Sequence, residues 1–213
     1  MGGELRASAE LHGHRRVSIT DIVGRDMARV NLDLSWRNEW TVGRGLRFGL
    51  VTSLGFDSHS VRQDSTSVGR TTQVTPSIAA SFRYPFQAAG RDGSRYLLEP
   101  IAQVAWADGT PSTLPNDESI SSEFDEGNLL ALSRFPTKER RETGAVGALG
   151  LRWERLNPES WSMGVAIGQV FRKTADPAFS ASSGLDGLTS DTLLAVHFNS
   201  QWGGSFLARG LFD

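Results

Sequence analysis

Cysteine is absent from this chain of 213 residues. That excludes disulfide frameworks and thiolate metal sites and leaves the redox compartment open. Lysine is nearly absent: only Lys138 and Lys173 occur, so arginine carries the basic charge. Neither sign of charge dominates, with 22 basic and 24 acidic residues and a formal net charge of -2. There is therefore no global pull towards nucleic acid or towards an anionic bilayer surface. No apolar run approaches the ~20 residues of a membrane helix, and mean hydropathy is -0.28. A membrane is not thereby excluded, because barrel strands alternate and their average hydropathy stays low. The opening MGGELRASAEL lacks a basic-then-apolar signal pattern, so either the chain is cytoplasmic or its true start lies upstream.

What the sequence does have is period-two alternation. Ala28–Arg37 is the cleanest case: Ala28, Val30, Leu32, Leu34 and Trp36 oppose Arg29, Asn31, Asp33, Ser35 and Arg37. As a helix the same residues would ring the whole cylinder. The same reading predicts strands at Glu4–His12, Leu46–Asp57, Thr72–Phe86, Tyr96–Trp106, Ala145–Arg155, Trp161–Phe171 and Leu194–Trp202, with a final strand running to the end. Pro76 and Pro100 are irregularities, since proline donates nothing to a ladder. Turns near 40–45, 87–94, 157–160 and 203–204 are short. Connections near 13–26, 58–70 (a polar loop at His59–Gly69), 107–127 and 173–190 are long. Aromatic residues such as Trp36, Trp40, Phe82, Tyr84, Trp153, Trp161 and Trp202 gather at strand ends.

Short turns at one rim, long loops at the other and aromatic girdles predict an all-β fold: an antiparallel up-and-down transmembrane β-barrel. A soluble β-sandwich would alternate too, but would not give the long-short rhythm. About nine strands are counted, whereas single-chain bacterial barrels use even numbers. Residues 1–213 are thus expected to be one partial outer-membrane barrel domain, an open curved sheet with unpaired edges. Leu32, Leu50, Val165 and Val196 are assigned to lipid, and Arg29, Arg47 and Arg152 to the lumen.

One stretch breaks the rhythm. YLLEPIAQVAWA leads into a long acidic connection that turns apolar at Leu129–Leu132 and closes on a basic run. Leu129, Leu130, Leu132 and Phe135 hold no strict alternation, and in a water-facing loop they would lack partners. Residues 124–135 are therefore expected to fold back onto the inner wall or rim. Arg134 and Arg140 should pair there with carboxylates such as Asp125 or with luminal acids.

The residues of this stretch resemble the lipopolysaccharide-assembly outer-membrane protein family, LptD. Glu99-Pro100, Pro115-Asn116-Asp117, Asn128-Leu129 and Arg134-Phe135 match that family's motifs. Leu130 stands where an aromatic is commoner, and Glu139-Arg140 where Asp-Arg is usual. The resemblance covers most of residues 70–213. It implies a very large barrel spanning the cell outer membrane, a separate periplasmic jelly-roll domain not recognisable here, and a plug lipoprotein (LptE) in the lumen. It further implies receipt of lipopolysaccharide from a periplasmic bridge protein and its insertion into the outer leaflet. The candidate lumen or gate segment then comprises Asn116, Asp117, Asp125, Asn128, Arg134 and Arg140. A wall of small residues, Gly144, Ala148, Gly150, Gly164, Ala166 and Gly168, is the candidate plug contact; relief of crowding where the sheet curves explains it equally well.

Other constellations carry less. His12 and His14 share a strand face but have no third metal ligand in view. Asp117, Glu118, Glu123, Asp125 and Glu126 lack the spacing of a calcium loop. GRGLRFG at 43–49 has the wrong spacing for a dinucleotide fingerprint. Nothing resembles a nucleophile elbow or a Ser, His and Asp set, so no cofactor and no catalytic residue is assigned. The alternatives to a lipid-export translocon are another outer-membrane barrel, of porin or autotransporter type, and a soluble β-rich binding module.

Overall fold

Alternation like that of Ala28–Arg37 leaves one apolar and one polar face on every strand, and neighbouring strands must align like with like. In the computed structural model, which describes residues 2–16, 26–63, 69–109, 122–157 and 159–213, ten antiparallel strands do this. They are β1 (Glu4–His14), β2 (Asp26–Val42), β3 (Leu46–Arg62), β4 (Gly69–Arg83), β5 (Phe86–Ala89), β6 (Arg95–Ala107), β7 (Gly144–Leu156), β8 (Trp161–Arg172), β9 (Thr192–Ser200) and β10 (Ser205–Phe212). Nine of them form one sheet in the order β1-β2-β3-β4-β6-β7-β8-β9-β10, and the short β5 pairs with β6. Strands β1 and β10 are its two edges, so the sheet is open and not a closed cylinder.

The register carries the two faces across the whole sheet. Leu11, Val30 and Ser58 lie in one row; Leu34, Leu54 and Pro76 lie in another. Leu32 and Leu50 fall on the same face as Val165 and Val196; Arg29, Arg47 and Arg152 fall on the opposite one. On the first face Leu5, Leu34, Leu54, Val104, Leu149 and Ile167 are all well exposed, a continuous apolar band. Neighbouring rings line the short-turn rim: Trp40 stacks on Phe48 at 5.6 Å, Phe48 meets Phe82 at 5.2 Å, and Trp161 stacks on Phe198 at 6.1 Å. This is the placement expected of an aromatic girdle.

Two boundaries differ from the sequence reading. The polar loop expected over His59–Gly69 is shorter than that at both ends, since β3 continues to Arg62 and β4 starts at Gly69. Backbone pairing continues past the end of the apolar band, where polar residues no longer show alternation. The turn expected at 87–94 contains β5. Pro85 in the break after β4, with Pro100 opposite it, explains why a separate short strand exists there. Pairing of β4 with β6 runs only from Ser77 to Arg83. At either end a proline carbonyl accepts, from Asp108 N at Pro76 (2.9 Å) and from Tyr84 N at Pro100 (3.2 Å), but no proline N–H can return the bond.

No helix among the described residues is long and apolar enough to cross a membrane. The core lies on the inner face, where residues of two connections, 122–143 and 173–191, pack against β7, β8 and β9. Phe124, Leu129, Phe135, Phe179 and Leu185 join Ala148, Val170 and Leu193 in one buried cluster.

Candidate functional site

Residues 122–143 form a strap across the inner face. It starts in a turn that its own polar side chains build. The Asp125 carboxylate accepts the N–H groups of Gly127 and Asn128, both at 2.9 Å. The Asn128 side chain donates to the Glu123 carbonyl at 2.6 Å and accepts from Asp125 N at 3.2 Å. Such side-chain-to-backbone bonds fix a loop locally. The turn aims Leu129 at the sheet, where Gly150 and Gly168 face each other across β7 and β8. A Cβ at Gly168 would lie 2.6 Å from Leu129 Cδ2, and one at Gly150 2.8 Å away. Glycine at both positions therefore makes the socket for Leu129. Gln103 Nε2 donates to the Leu130 carbonyl at 3.0 Å and secures the next residue.

Beyond the socket the strap buries charge. Arg134 Nη1 meets Glu142 Oε2 at 3.0 Å, its Nη2 donates to the Leu129 carbonyl at 2.8 Å, and its N–H donates to Glu142 Oε1 at 2.9 Å. Both side chains are almost wholly buried, at 1% and 3% exposure. Arg172 approaches the same carboxylate at 3.5 Å and donates to the Leu185 carbonyl at 2.9 Å. Phe135 stacks on Phe179, with centroids 4.3 Å apart and planes 2° from parallel, and the Arg172 guanidinium lies 4.8 Å over the Phe179 ring.

The strap's far end is basic and lands on β1, β2 and β3. Arg141 donates from Nε to Asp57 Oδ2 at 2.6 Å, from Nη2 to Asp57 Oδ1 at 2.9 Å and from Nη1 to Asp33 Oδ1 at 2.6 Å. Lys138 Nζ sits 2.5 Å from Asp33 Oδ2 and donates to Ser8 Oγ at 2.9 Å. Asn31 Nδ2 reaches the Lys138 carbonyl at 3.2 Å. Gly55 provides the space, since a Cβ there would meet the Arg141 guanidinium carbon at 2.6 Å. Burial opposes the Arg141 charge, but the hydrogen bonds it donates to Asp57 and Asp33 outweigh it and raise its basicity above the ordinary arginine value. At the other end, Glu126 pairs with Arg209 of β10 at 2.6 Å, which holds the Glu126 carboxyl below the usual glutamate range.

The residues singled out from sequence divide accordingly. Asn128 and Arg134 lie within the strap's packed part, and Asp125 in its first turn. The pairing expected between Arg134 and Asp125 is replaced by one between Arg134 and Glu142, because the Asp125 carboxylate is committed to two backbone N–H groups. The luminal acids Asp33 and Asp57 receive Arg141 and Lys138. Glu139 is buried at 3% exposure, and Arg140 also lies in this far end of the strap. Asn116 and Asp117 lie outside the described residues. Of the small-residue wall, Ala148 is buried under the strap, Gly150 and Gly168 hold Leu129, Gly164 is in contact with the His197 ring, and Gly144 has open space beside it. Ala166 lines a cavity of about 390 Å³ between the strap and the sheet, with Arg83, Arg152 and His197 among its walls.

Sequence reasoning missed Lys138, Arg141 and Glu142 as anchors, and Phe179 and Leu185 as core. The ERRE run contained the first signal; Phe179 and Leu185 were diluted in a loop rich in Gly, Ser and Asp. His12 and His14 approach each other at 3.5 Å, and among the described residues no group of three potential ligands could hold a metal.

The strap is chemically suited to filling and shaping a lumen: it offers packed apolar groups, fixed ion pairs and a partly polar cavity. A search of curated proteins gave no match. A family model described as LptD, LPS transport system D, matches residues 3–213. An open antiparallel sheet with an apolar outer face, carrying a strap that bears the Asn128-Leu129 and Arg134-Phe135 pairs on its inner face, thus belongs to the LptD family of lipopolysaccharide transport.

Proposed function

We propose that this chain is barrel wall of an outer-membrane translocon component that inserts lipopolysaccharide into the outer leaflet, and that its strap shapes the passage. The observation that carries this reading is the strap's double anchorage inside an apolar-faced sheet: Leu129 in the Gly150–Gly168 socket and Arg141 on Asp33 and Asp57. Membership in a transport family supports it, and the strap's contacts are of the packing and ion-pairing kind rather than those of a nucleophile and base. In this reading Asp125, Asn128, Arg134 and Arg140, with Asn116 and Asp117 ahead of them, belong to a gate or scaffold segment. The plug lipoprotein and the periplasmic bridge protein are its partners. Ala166, on the cavity wall, is the position from which a plug in the lumen would be crosslinked.

The test is deletion of residues 123–132 in the full-length protein in cells. Heat-modifiable migration would report barrel assembly, and surface labelling of lipopolysaccharide would report export. Normal assembly with lost surface lipopolysaccharide is the expected result. Intact assembly together with intact export would overturn the reading.

A further inference from the structure

The outer face carries an apolar band, and among the described strand positions four charged side chains interrupt it. Arg155 stands at the short-turn rim; Asp26, Arg62 and Arg70 stand at the long-loop rim. The two rims treat arginine differently. Arg155 donates to Asp92 Oδ2 at 2.9 Å and lies 3.6 Å over the Trp161 ring, so its charge is answered within the chain. Ser94 and Arg155 together hold the Asp92 carboxyl down to about 2. At the other rim Arg70 donates to the Ser58 hydroxyl, at 3.4 Å, and pairs with no carboxylate among the described residues. Arg62 has no ion-pair partner among the described residues, and Asp26, opposite it in register, closes no ion pair with it.

The position of these arginines along the strand is informative. On β3 the outward positions run from Leu46 through Phe48, Leu50, Thr52 and Leu54 to Phe56, apolar but for Thr52, before turning polar at Ser58, Ser60 and Arg62. Ten residue steps at ~3.3 Å, tilted by ~40°, span ~25 Å, the height of the apolar band of an outer-membrane barrel. Ser58 to Arg62 therefore emerge at the level of lipid headgroups, on the rim with the long connections, which in such barrels faces outward. A groove there has an apolar floor of Leu11, Ala28 and Val30 and an upper edge of Arg62 and Arg70. The Ser58, Ser60 and Thr72 hydroxyls stand beside it.

We propose that Arg62 and Arg70, with these hydroxyls, form an outward-facing site for the phosphorylated head of lipopolysaccharide in the outer leaflet. The acyl chains of that lipid lie along Leu11, Val30, Leu32 and Phe56. The charge argues for this occupant: two arginines that no carboxylate answers among the described residues border an apolar floor, and guanidinium takes phosphate bidentately. The site rests on the reading that the sheet stands in the outer membrane. It lies on the opposite face of the sheet from the strap.

The experiment uses the full-length protein extracted from membranes with its bound lipid and compares wild type with Arg62→Gln/Arg70→Gln. Native mass spectrometry reads retained lipopolysaccharide. A thermal shift reads binding of added lipid A bisphosphate, dephosphorylated lipid A or inorganic phosphate. The double variant should lose retained lipopolysaccharide and bisphosphate affinity by on the order of tenfold, whereas Arg44→Gln, a charge loss in the turn at the other rim, should retain both. Dephosphorylated lipid A should bind wild type and variant alike. Equal retention by wild type and the double variant would overturn the site. So would inorganic phosphate that protects wild type as well as the lipid does, which would mean a simple anion site. Arg62→Lys/Arg70→Lys, which keeps the charge and loses the fork, serves if the first variant fails to assemble; it should weaken binding less, and unchanged binding in it would count against bidentate capture. Export is not read here, so failure of this site and failure of the gate reading give different results.

Discussion

The two ends of the strap are held by opposite physics. At one end Leu129 fills a glycine socket, Phe135 stacks on Phe179, and the Arg134–Glu142 ion pair, which Arg172 also approaches, is sealed from water. At the other, Lys138 and Arg141 sit on Asp33 and Asp57 with their side chains 32% and 17% exposed. The first anchor depends on shape: the missing side chains of Gly150 and Gly168 matter more than any attraction. The second depends on charge geometry, because the guanidinium forks onto two carboxylates from neighbouring strands. A connection pinned only by apolar contacts could slide over a smooth wall, and one pinned only by half-exposed charges would loosen in salt. Together they fix both position and orientation.

The harshest way to break the comparison is to open the sealed pair. Glu142→Ala leaves Arg134 buried without its carboxylate and removes the partner Arg172 approaches, and should cost ~3–5 kcal/mol. Denaturant unfolding of the folded protein in detergent would measure it; a loss below ~1 kcal/mol would mean that water reaches the pair. Next is the socket. Leu129→Ala should cost ~2–5 kcal/mol and Gly168→Ala ~1–3 kcal/mol by overpacking. In the Leu129→Ala background Gly168→Ala should become nearly neutral, and additive losses would dissociate the two residues. The basic end should be milder: Arg141→Gln is expected to cost ~1.5–3 kcal/mol. Raising salt from ~0.1 to ~1 M should speed amide exchange at 137–143 and leave 129–135 unchanged; equal acceleration at both ends would erase the distinction. The smallest effect concerns Glu126. Its folded-state pKa lies below its ordinary value, so the pair with Arg209 adds stability above the ordinary glutamate range and loses it as pH falls through the lowered value. Glu126→Gln should flatten that acid dependence of unfolding, and an unaltered slope would remove Glu126 as its source.

The sheet was legible because a one-sided apolar surface forces period two, so Ala28–Arg37 and Leu46–Asp57 declared themselves. The inward folding of 124–135 was legible for the converse reason: Leu129, Leu130, Leu132 and Phe135 are apolar without alternating. Their partners were not. Nor were the carboxylates at the basic end: Asp33 and Asp57 look like any polar residue on an inner face, and Arg141, which binds both, lies 108 and 84 positions away. Only register brings them side by side. Strand limits failed where polar residues continue the ladder beyond the apolar band, as at Ser58–Arg62.

The two prolines that limit the pairing of β4 with β6 have a mechanical consequence. The ladder joining β2 to β3 extends over the whole of Asp26–Val42, whereas the β4–β6 ladder stops at Ser77 and Arg83. Sideways load on the wall therefore concentrates at that junction. The strap bridges it, with Leu129 seated on one side and Arg141 on the other. It acts as a tie rod across an expansion joint, allowing the wall to flex there while capping how far it can part.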